Sequence, residues 1–443
     1  MQRVLMDKLI AWKDEANRKP LILQGIKHSG KTYLLKEFGE KYFKHVLYID
    51  FSENKQAHDL FDMQGDAQAI IKNISIYMEK DIRAGQSLII FDEIQFCPGA
   101  LDALKLFAES ARDYHIAAAG SFIDAALPHG YSMPGGKVSV LTLYPMSFYE
   151  FILAQSPMLA MHLKESGFEA DAYKTFQKQL DEKFRDYQIV GGMPQVVQSW
   201  IERKSIETVD KLLADIIRDY ECDFARFAPI SMFPKLIAIL NSVPAQLIKQ
   251  NRKFMFSKIK KSWRAKDLDD ALYWLLRAGL VYKVEHIEKP EIPLSGQANP
   301  AHFKLYMCDV GLFRRMGGFR LAMMLSGDGD YAGIKGAIAE TVVCCDLIRI
   351  YDAPPLYYWS AVKPGRAEVD FIVQDGGHII PIEVKYGSAG RARSLLQYKM
   401  RFSPAKSVLT GADKDKDEVL PLCGFWNLKE WIGEGCRTYK ALR

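Results

Sequence analysis

Gly25-Ile26-Lys27-His28-Ser29-Gly30-Lys31-Thr32 is the stretch on which the reading of this chain turns. The apolar, strand-type run Leu21-Ile22-Leu23-Gln24 precedes it, and Tyr33-Leu34-Leu35-Lys36-Glu37-Phe38 follows with helical spacing, so both glycines fall in a strand-to-helix turn. Glycine there lets the backbone close round an anion without Cβ clashes. The N–H groups of Ile26, Lys27, His28, Ser29 and, at the helix start, Tyr33 can then point at that anion. The pattern G-x-x-x-x-G-K-[ST] is that of a phosphate loop, and the expected ligand is ATP. Lys31 would reach its β- and γ-phosphates and the Thr32 hydroxyl would ligate Mg²⁺.

A second segment agrees. Ser87-Leu88-Ile89-Ile90-Phe91-Asp92-Glu93 is an apolar run ending in two carboxylates, as expected of a buried parallel strand opening onto the ligand side of a sheet. Asp92 is expected to hold Mg²⁺, and Glu93, beside the metal but not on it, to polarise the attacking water. Strand-like runs recur at 21–24, 45–51, 88–91, 115–119 and 138–143 with helical segments between them, which predicts an α/β fold: a parallel sheet covered by helices on both faces. The fourth run ends in Gly120-Ser121, which places the Ser121 hydroxyl as a sensor of the γ-phosphate or of the attacking water.

The chain has 443 residues, 49% hydrophobic and 12% aromatic, enough to bury several cores, so about three domains are expected. A net charge of +5 is mild for this length, so any argument for nucleic acid must rest on local clustering. The seven cysteines show neither C-x-x-C nor zinc spacing and read as reduced, buried thiols. With no signal-type start and no apolar stretch of spanning length, a cytoplasmic protein without membrane contact is expected.

The expected organisation is a P-loop core over 1–155, a helical lid or connector over 156–230, a winged-helix-like domain over 231–290, a linker over 291–330 and a last domain over 331–443. The third of these holds the sharpest charge cluster of the chain. Lys249, Arg252, Lys253, Lys258, Lys260, Lys261, Arg264 and Lys266 put eight bases in eighteen residues without an acid, with Phe254, Phe256 and Trp263 among them. Such a patch would neutralise DNA phosphates. It would equally serve as a solvated helix face whose aromatics pack inward.

The last domain carries a second constellation. Glu340 lies in an apolar helical stretch, and the strands at 366–373 and 378–385 are joined by Asp375-Gly376-Gly377, a strong hairpin signal. Period two puts Glu383 and Lys385 on one face, with Asp370 on the neighbouring strand. Asp370 and Glu383 could hold Mg²⁺ or Mn²⁺ while Lys385 orients water, an arrangement that suits phosphodiester hydrolysis.

These landmarks, with Leu143-Tyr144-Pro145-Met146-Ser147-Phe148-Tyr149-Glu150-Phe151, Gly191-Gly192-Met193-Pro194 and Lys304-Leu305-Tyr306-Met307-Cys308-Asp309-Val310-Gly311-Leu312, resemble the prokaryotic AAA-type ATPases with a C-terminal PD-(D/E)xK nuclease-like domain of unknown function. The resemblance runs from about residue 18 to 405. It implies an AAA-like P-loop domain, a helical and winged-helix middle, and a restriction-endonuclease-like α/β end. Where relatives have Gly-Arg before the fifth strand this chain has Gly136-Lys137, so the arginine finger has no assignment, and Ser394, Gln397 and Tyr398 stand where such nuclease folds place a supporting polar residue.

Two readings follow. In one, ATP hydrolysis drives DNA processing, with Glu340, Asp370, Glu383 and Lys385 cutting the strand. In the other, the chain is a nucleotide-gated switch or scaffold whose last domain only binds nucleic acid or a protein partner. Self-association is left open.

Overall fold

The computed structural model describes residues 1–61, 66–121, 134–166, 170–249, 252–320, 323, 331–361, 367–386, 392–411 and 419–433. The chain divides into two compact units: Met1–Pro145 with Cys222–Pro229 and Arg277–Gly279, and Met146–Glu221 with Ile230–Leu276 and Leu280–Arg443.

The first unit is built on strands β1 (Leu21–Gln24), β2 (His45–Asp50), β3 (Ser87–Asp92), β4 (His115–Gly120) and β5 (Ser139–Thr142), in the order β2-β3-β4-β1-β5. All four pairings are parallel. Successive residues serve opposite faces of the sheet. Ile89, Phe91 and Ile116 enter one apolar cluster with helices Ala67–Met78 and Pro98–Ser110, while Leu88, Ile90 and Ala117 enter another with Lys31–Tyr42. Burial on both faces is why these strands read as unbroken apolar runs. The carboxyl ends of β1, β3 and β4 lead into the phosphate loop, Asp92-Glu93 and Ser121, so all three motifs share one edge of the sheet.

The second unit begins with helices Phe148–Gln155, Pro157–Glu165, Ala170–Val190, Pro194–Arg203 and the larger part of Ile206–Phe227. Helices Phe233–Leu247 and Ala265–Arg277 follow. A seven-stranded mixed sheet comes next, in the order β12-β11-β10-β9-β8-β6-β7. Its strands are β6 (Val281–Ile287), β7 (Ala298–Met307), β8 (Leu356–Ser360), β9 (Glu368–Asp375), β10 (His378–Val384), β11 (Val408–Gly411) and β12 (Val419–Pro421). The divisions expected at 290 and 331 therefore fall inside one sheet: β6, expected in a winged helix, pairs antiparallel with β7 from the expected linker and parallel with β8. Residues 303–307 of β7 are buried on both faces, including Lys304 and Tyr306, so no alternation marked the strand. The Asp375-Gly376-Gly377 hairpin is present, with His378 opposite Asp375 and Gly376 at a φ of 58°.

Three of the landmark strings meet in this unit. Gly192 N–H donates to Asp309 Oδ2 at 2.6 Å, Met146 N–H donates to Gly192 O at 2.7 Å, and Leu312 N–H donates to Asp309 Oδ1 at 2.9 Å. A Cβ on Gly192 would stand 2.1 Å from Met146 O, and one on Gly311 2.4 Å from Val190 O. Glycine at both positions has a packing cause: backbone meets backbone here, and a side chain would not fit.

Candidate functional site

In the first unit the phosphate loop is shaped by close approach. Gly25 has no room for a side chain, since a Cβ would lie 2.3 Å from Leu143 O, and Gly30 holds the left-handed φ of 95° that turns the chain into helix Lys31–Tyr42. Arg3, which no sequence motif marked, pins the loop from below. Its guanidinium is buried and donates to Ser29 O at 2.8 Å and to Tyr144 O at 2.6 Å.

Lys31, Thr32, Asp92, Glu93 and Ser121 come together at this edge of the sheet. Lys31 Nζ donates to Gly25 O and Ile26 O, each at 3.0 Å, and to Ser121 Oγ at 2.8 Å. Burial lowers its pKa to about 8, against the opposing pull of Glu93 and Asp92. Thr32 Oγ1 donates to Asp92 Oδ2 at 2.6 Å, and Asp92 Oδ1 accepts the Glu93 N–H at 3.0 Å. A hydroxyl and a carboxylate in contact at the mouth of a phosphate loop are hard oxygen donors that suit Mg²⁺.

Glu93 sits just past β3 with a left-handed φ of 50°, a conformation that non-glycine residues keep mainly where a site requires it. Burial raises its pKa, Lys31 opposes that rise and Asp92 adds to it, while the Gln95 side chain donates to its carboxylate. Tyr48 was also missed: from β2 its hydroxyl donates to Asp92 Oδ2 at 2.9 Å. The signal was Tyr48 and Asp50, two polar groups at alternate positions at the end of the strand, but only the β2–β3 register places Asp50 opposite Asp92. Lys27 pairs with Asp223 at 3.0 Å. Lys137, standing where an arginine contact was sought, makes an exposed ion pair with Glu109 at 2.8 Å.

In the second unit Glu340, Asp370, Glu383 and Lys385 also gather. Asp370 Oδ2 accepts the Val384 N–H at 2.8 Å across the β9–β10 ladder, and Lys385 Nζ donates to Glu383 Oε1 at 2.5 Å. Burial pushes the Glu383 carboxyl up to about 8, Asp370 adds to the rise and Lys385 opposes it; its buried Oε2 has no hydrogen-bond partner. Tyr306 donates to Glu340 Oε2 at 2.8 Å.

Two cations that sequence reasoning did not place stand in this cluster. Arg252, counted in the basic stretch, turns inward, pairs with Glu340 and lies 3.7 Å from Asp370. The fully buried Lys304 is 2.6 Å from Glu368 and 3.9 Å from Asp370. Among the described residues no group of three or more His, Cys, Asp or Glu could hold a metal ion. With Arg252 between Glu340 and Asp370, this donor set does not fit a divalent cation as arranged. Tyr398, weighed as a supporting polar residue, packs edge-on against Trp359 in the apolar core.

The rest of the basic stretch divides between both earlier readings. Lys258, Lys260, Lys261, Arg264 and Lys266 are exposed, whereas Phe254 and Phe256 pack on Phe303. The six described cysteines are free thiols, Cys436 lying outside the described residues, and no described helix is long and apolar enough to cross a membrane.

Residues 17–152 match the profile of an AAA domain. Residues 181–322 and 335–423 match two domains of unknown function, DUF8612 and DUF4143. No curated relative matches the chain. Among solved structures, the chain is similar to the Walker-type ATPase PABY2304 of Pyrococcus abyssi at 12% identity, over 71% of this chain and 95% of that one, with a TM-score of 0.43. It is also similar to Drosophila ORC bound to DNA (14%, 71% and 94%, 0.28) and to Cdc6p from Pyrobaculum aerophilum (14%, 60% and 80%, 0.20). Scores of this size carry no weight in reading the site. The profile match over residues 17–152, the five-stranded parallel sheet and the phosphate-loop geometry agree on an AAA-type domain in the N-terminal unit.

Proposed function

We propose that this protein hydrolyses ATP in a Mg²⁺-dependent reaction and uses the cycle to act on DNA. The observation that carries the first half is the single cluster Lys31, Thr32, Asp92 and Glu93 at one edge of the sheet. Backbone N–H groups from Ile26 to Tyr33 receive the phosphates. Lys31 would turn from the carbonyls of Gly25 and Ile26 to the β- and γ-phosphate oxygens, and Thr32 and Asp92 would hold Mg²⁺. The metal, when bound, neutralises charge on the β- and γ-phosphates. Glu93 takes the proton of the attacking water, and its raised pKa makes it a better base for that step. Ser121 holds Lys31 in place at 2.8 Å and is poised to meet the γ-phosphate. Free thiols fit a cytoplasmic setting.

Lys31 supplies a quantitative check. Its pKa is about 8 without nucleotide, and phosphate oxygens beside it raise that value, so binding takes up a proton. At pH 8 the uptake is expected to be about half a proton per nucleotide, with affinity falling about tenfold per pH unit above that. Binding heats measured in buffers of different ionisation enthalpy report it directly. Identical heats in all buffers at pH 8 would rule the coupling out.

For DNA, the support is the exposed row Lys258, Lys260, Lys261, Arg264 and Lys266. Glutamine at Lys258, Lys260 and Lys261 together is expected to weaken DNA binding and flatten its salt dependence by about two to three in the log–log slope. An unchanged slope would make the row plain solvated surface.

The gathering of Glu340, Asp370, Glu383 and Lys385 supports a phosphodiester-cleaving role for the last domain. Arg252 among those carboxylates favours the second reading, a switch whose last domain only binds. Linear, branched and single-stranded DNA incubated with Mg²⁺ or Mn²⁺, with and without ATP, separates them. Cleavage abolished by Asp370→Ala supports the nuclease, and cleavage that persists in that variant assigns the cutting to another protein.

A further inference from the structure

Lys27 is the other lysine of the phosphate loop, and it is held by a carboxylate. Its Nζ stands 3.0 Å from both Oδ1 and Oδ2 of Asp223. The lysine side chain keeps 34% of its surface exposed and that of Asp223 only 11%, so the lysine is the partner with room to leave. The loop turns sharply just beyond it, with His28 at a left-handed φ of 66°, so the backbone that carries Lys27 is committed. Asp223 is fixed as firmly. It lies near the end of helix Ile206–Phe227, on the stretch Cys222–Pro229 that belongs to the first unit. There Phe227 packs 5.4 Å from Phe96, Arg226 stacks 4.0 Å over the same ring, and Phe224 is fully buried.

A buried carboxylate beside a phosphate loop is an odd neighbour, because a nucleotide brings several negative charges to the same place. Burial is the main cause of the low Lys31 pKa; among the charges that act on the same ammonium, Asp223 raises the value and Lys27 lowers it. All three groups therefore share one electrostatic neighbourhood, the one in which Lys31 is to meet the β- and γ-phosphates. Asp223 is the counter-ion that lets two ammonium groups stand near each other. The γ-phosphate oxygens of ATP would be a second anion within reach of the same flexible arm, and the two anions compete for it.

We propose that Lys27 is a second cation for the γ-phosphate, held on Asp223 until ATP draws it away. It supplies positive charge where an arginine finger was sought, a place that Lys137, paired with Glu109 at the surface, does not fill. Lys27 forms no covalent bond and moves no proton. It stays charged and neutralises the charge that spreads over the γ-oxygens as the bond to the leaving ADP breaks. ADP has no γ-phosphate, so with ADP the lysine remains on Asp223. This rests on reading the loop as an ATP site, and it adds how that site tells ATP from ADP.

The test uses the full chain with Mg²⁺ and compares ADP with the β,γ-imido analogue of ATP, which is not hydrolysed, by displacement of a fluorescent nucleotide. Lys27→Ala is expected to weaken the analogue by about 10–100-fold and ADP by less than about threefold, and to lower kcat with ATP by at least about tenfold. Asp223→Asn keeps the shape of the side chain and releases the lysine, so it should raise the preference for the analogue over ADP by about three- to tenfold. Added to Lys27→Ala, the same change should leave that preference unmoved, which separates release of the lysine from the general loss of a negative charge. Lys27→Arg keeps the charge and should keep the preference, which guards against an effect of folding alone. An equal preference in the wild type and every variant, with ADP still bound, overturns the proposal and makes Lys27–Asp223 a structural ion pair while the ATP site stands. If the folded wild type binds neither nucleotide, the ATP site and this role of Lys27 fall together.

Discussion

Glu93→Gln is expected to lower kcat for ATP hydrolysis by about 10²–10⁴-fold while leaving ATP affinity within a few-fold of the wild type. Glutamine keeps the size of the side chain and its contact with Gln95, and it keeps a backbone already committed to a φ of 50°. What it removes is the basic oxygen. Because burial and Asp92 raise the pKa of Glu93, the wild-type carboxylate has more driving force for taking a proton than an exposed glutamate, so losing it costs turnover and not binding. Lys31→Ala should give the opposite split. It deletes the ammonium that must face the phosphates and weakens nucleotide binding by on the order of 10–100-fold, the cost of charge-assisted hydrogen bonds. Paired measurements of steady-state turnover and of binding by a fluorescent nucleotide resolve the two. Wild-type turnover in Glu93→Gln would move the role of base to another group.

Gly192→Ala is expected to destabilise the second unit by about 3 kcal/mol or more, lowering its melting midpoint by roughly 6–12 °C. The added Cβ would press on Met146 O at 2.1 Å and Met146 N at 2.7 Å, which are backbone atoms of the chain entering this unit. Relief requires Gly192 to move, and moving it breaks the 2.6 Å bond from its N–H to Asp309, whose carboxylate is buried and holds Leu312 as well. An unsatisfied buried carboxylate adds its own penalty. Gly377→Ala is the matched control, since nothing lies within 4 Å of its Cβ position, and it should leave the midpoint nearly unchanged. Equal midpoints for both variants, followed by near-ultraviolet circular dichroism, would show that the junction tolerates a side chain.

Much of the first unit was legible in the order of its residues because its determinants are local. A glycine-bracketed turn between strand and helix, and a strand ending in Asp92-Glu93, each specify geometry within a few residues. Period-two sorting of Leu88 to Phe91 onto two faces then follows from burial on both sides. The hairpin at Asp375-Gly376-Gly377 was legible for the same reason, as was the meeting of Asp370 with Glu383 and Lys385.

What remained hidden involved partners distant in sequence. Tyr48 reaches Asp92 only through the β2–β3 register, and Arg3 reaches Ser29 only once the helix Leu5–Lys13 has docked. The stretch read as a linker became β7 because β6 pairs with it, and its burial on both faces erased the alternation that would have marked it. The same holds for Arg252. As a letter it belonged to a basic run awaiting phosphates, and nothing local distinguishes it from Lys258 or Lys260. Only the folded chain, by bringing it beside Glu340, turns one of those charges inward and leaves the others outside. Local steric and periodic rules are written in neighbouring residues, whereas which charge meets which carboxylate is settled by loop closure over tens of residues, and that is decided in three dimensions.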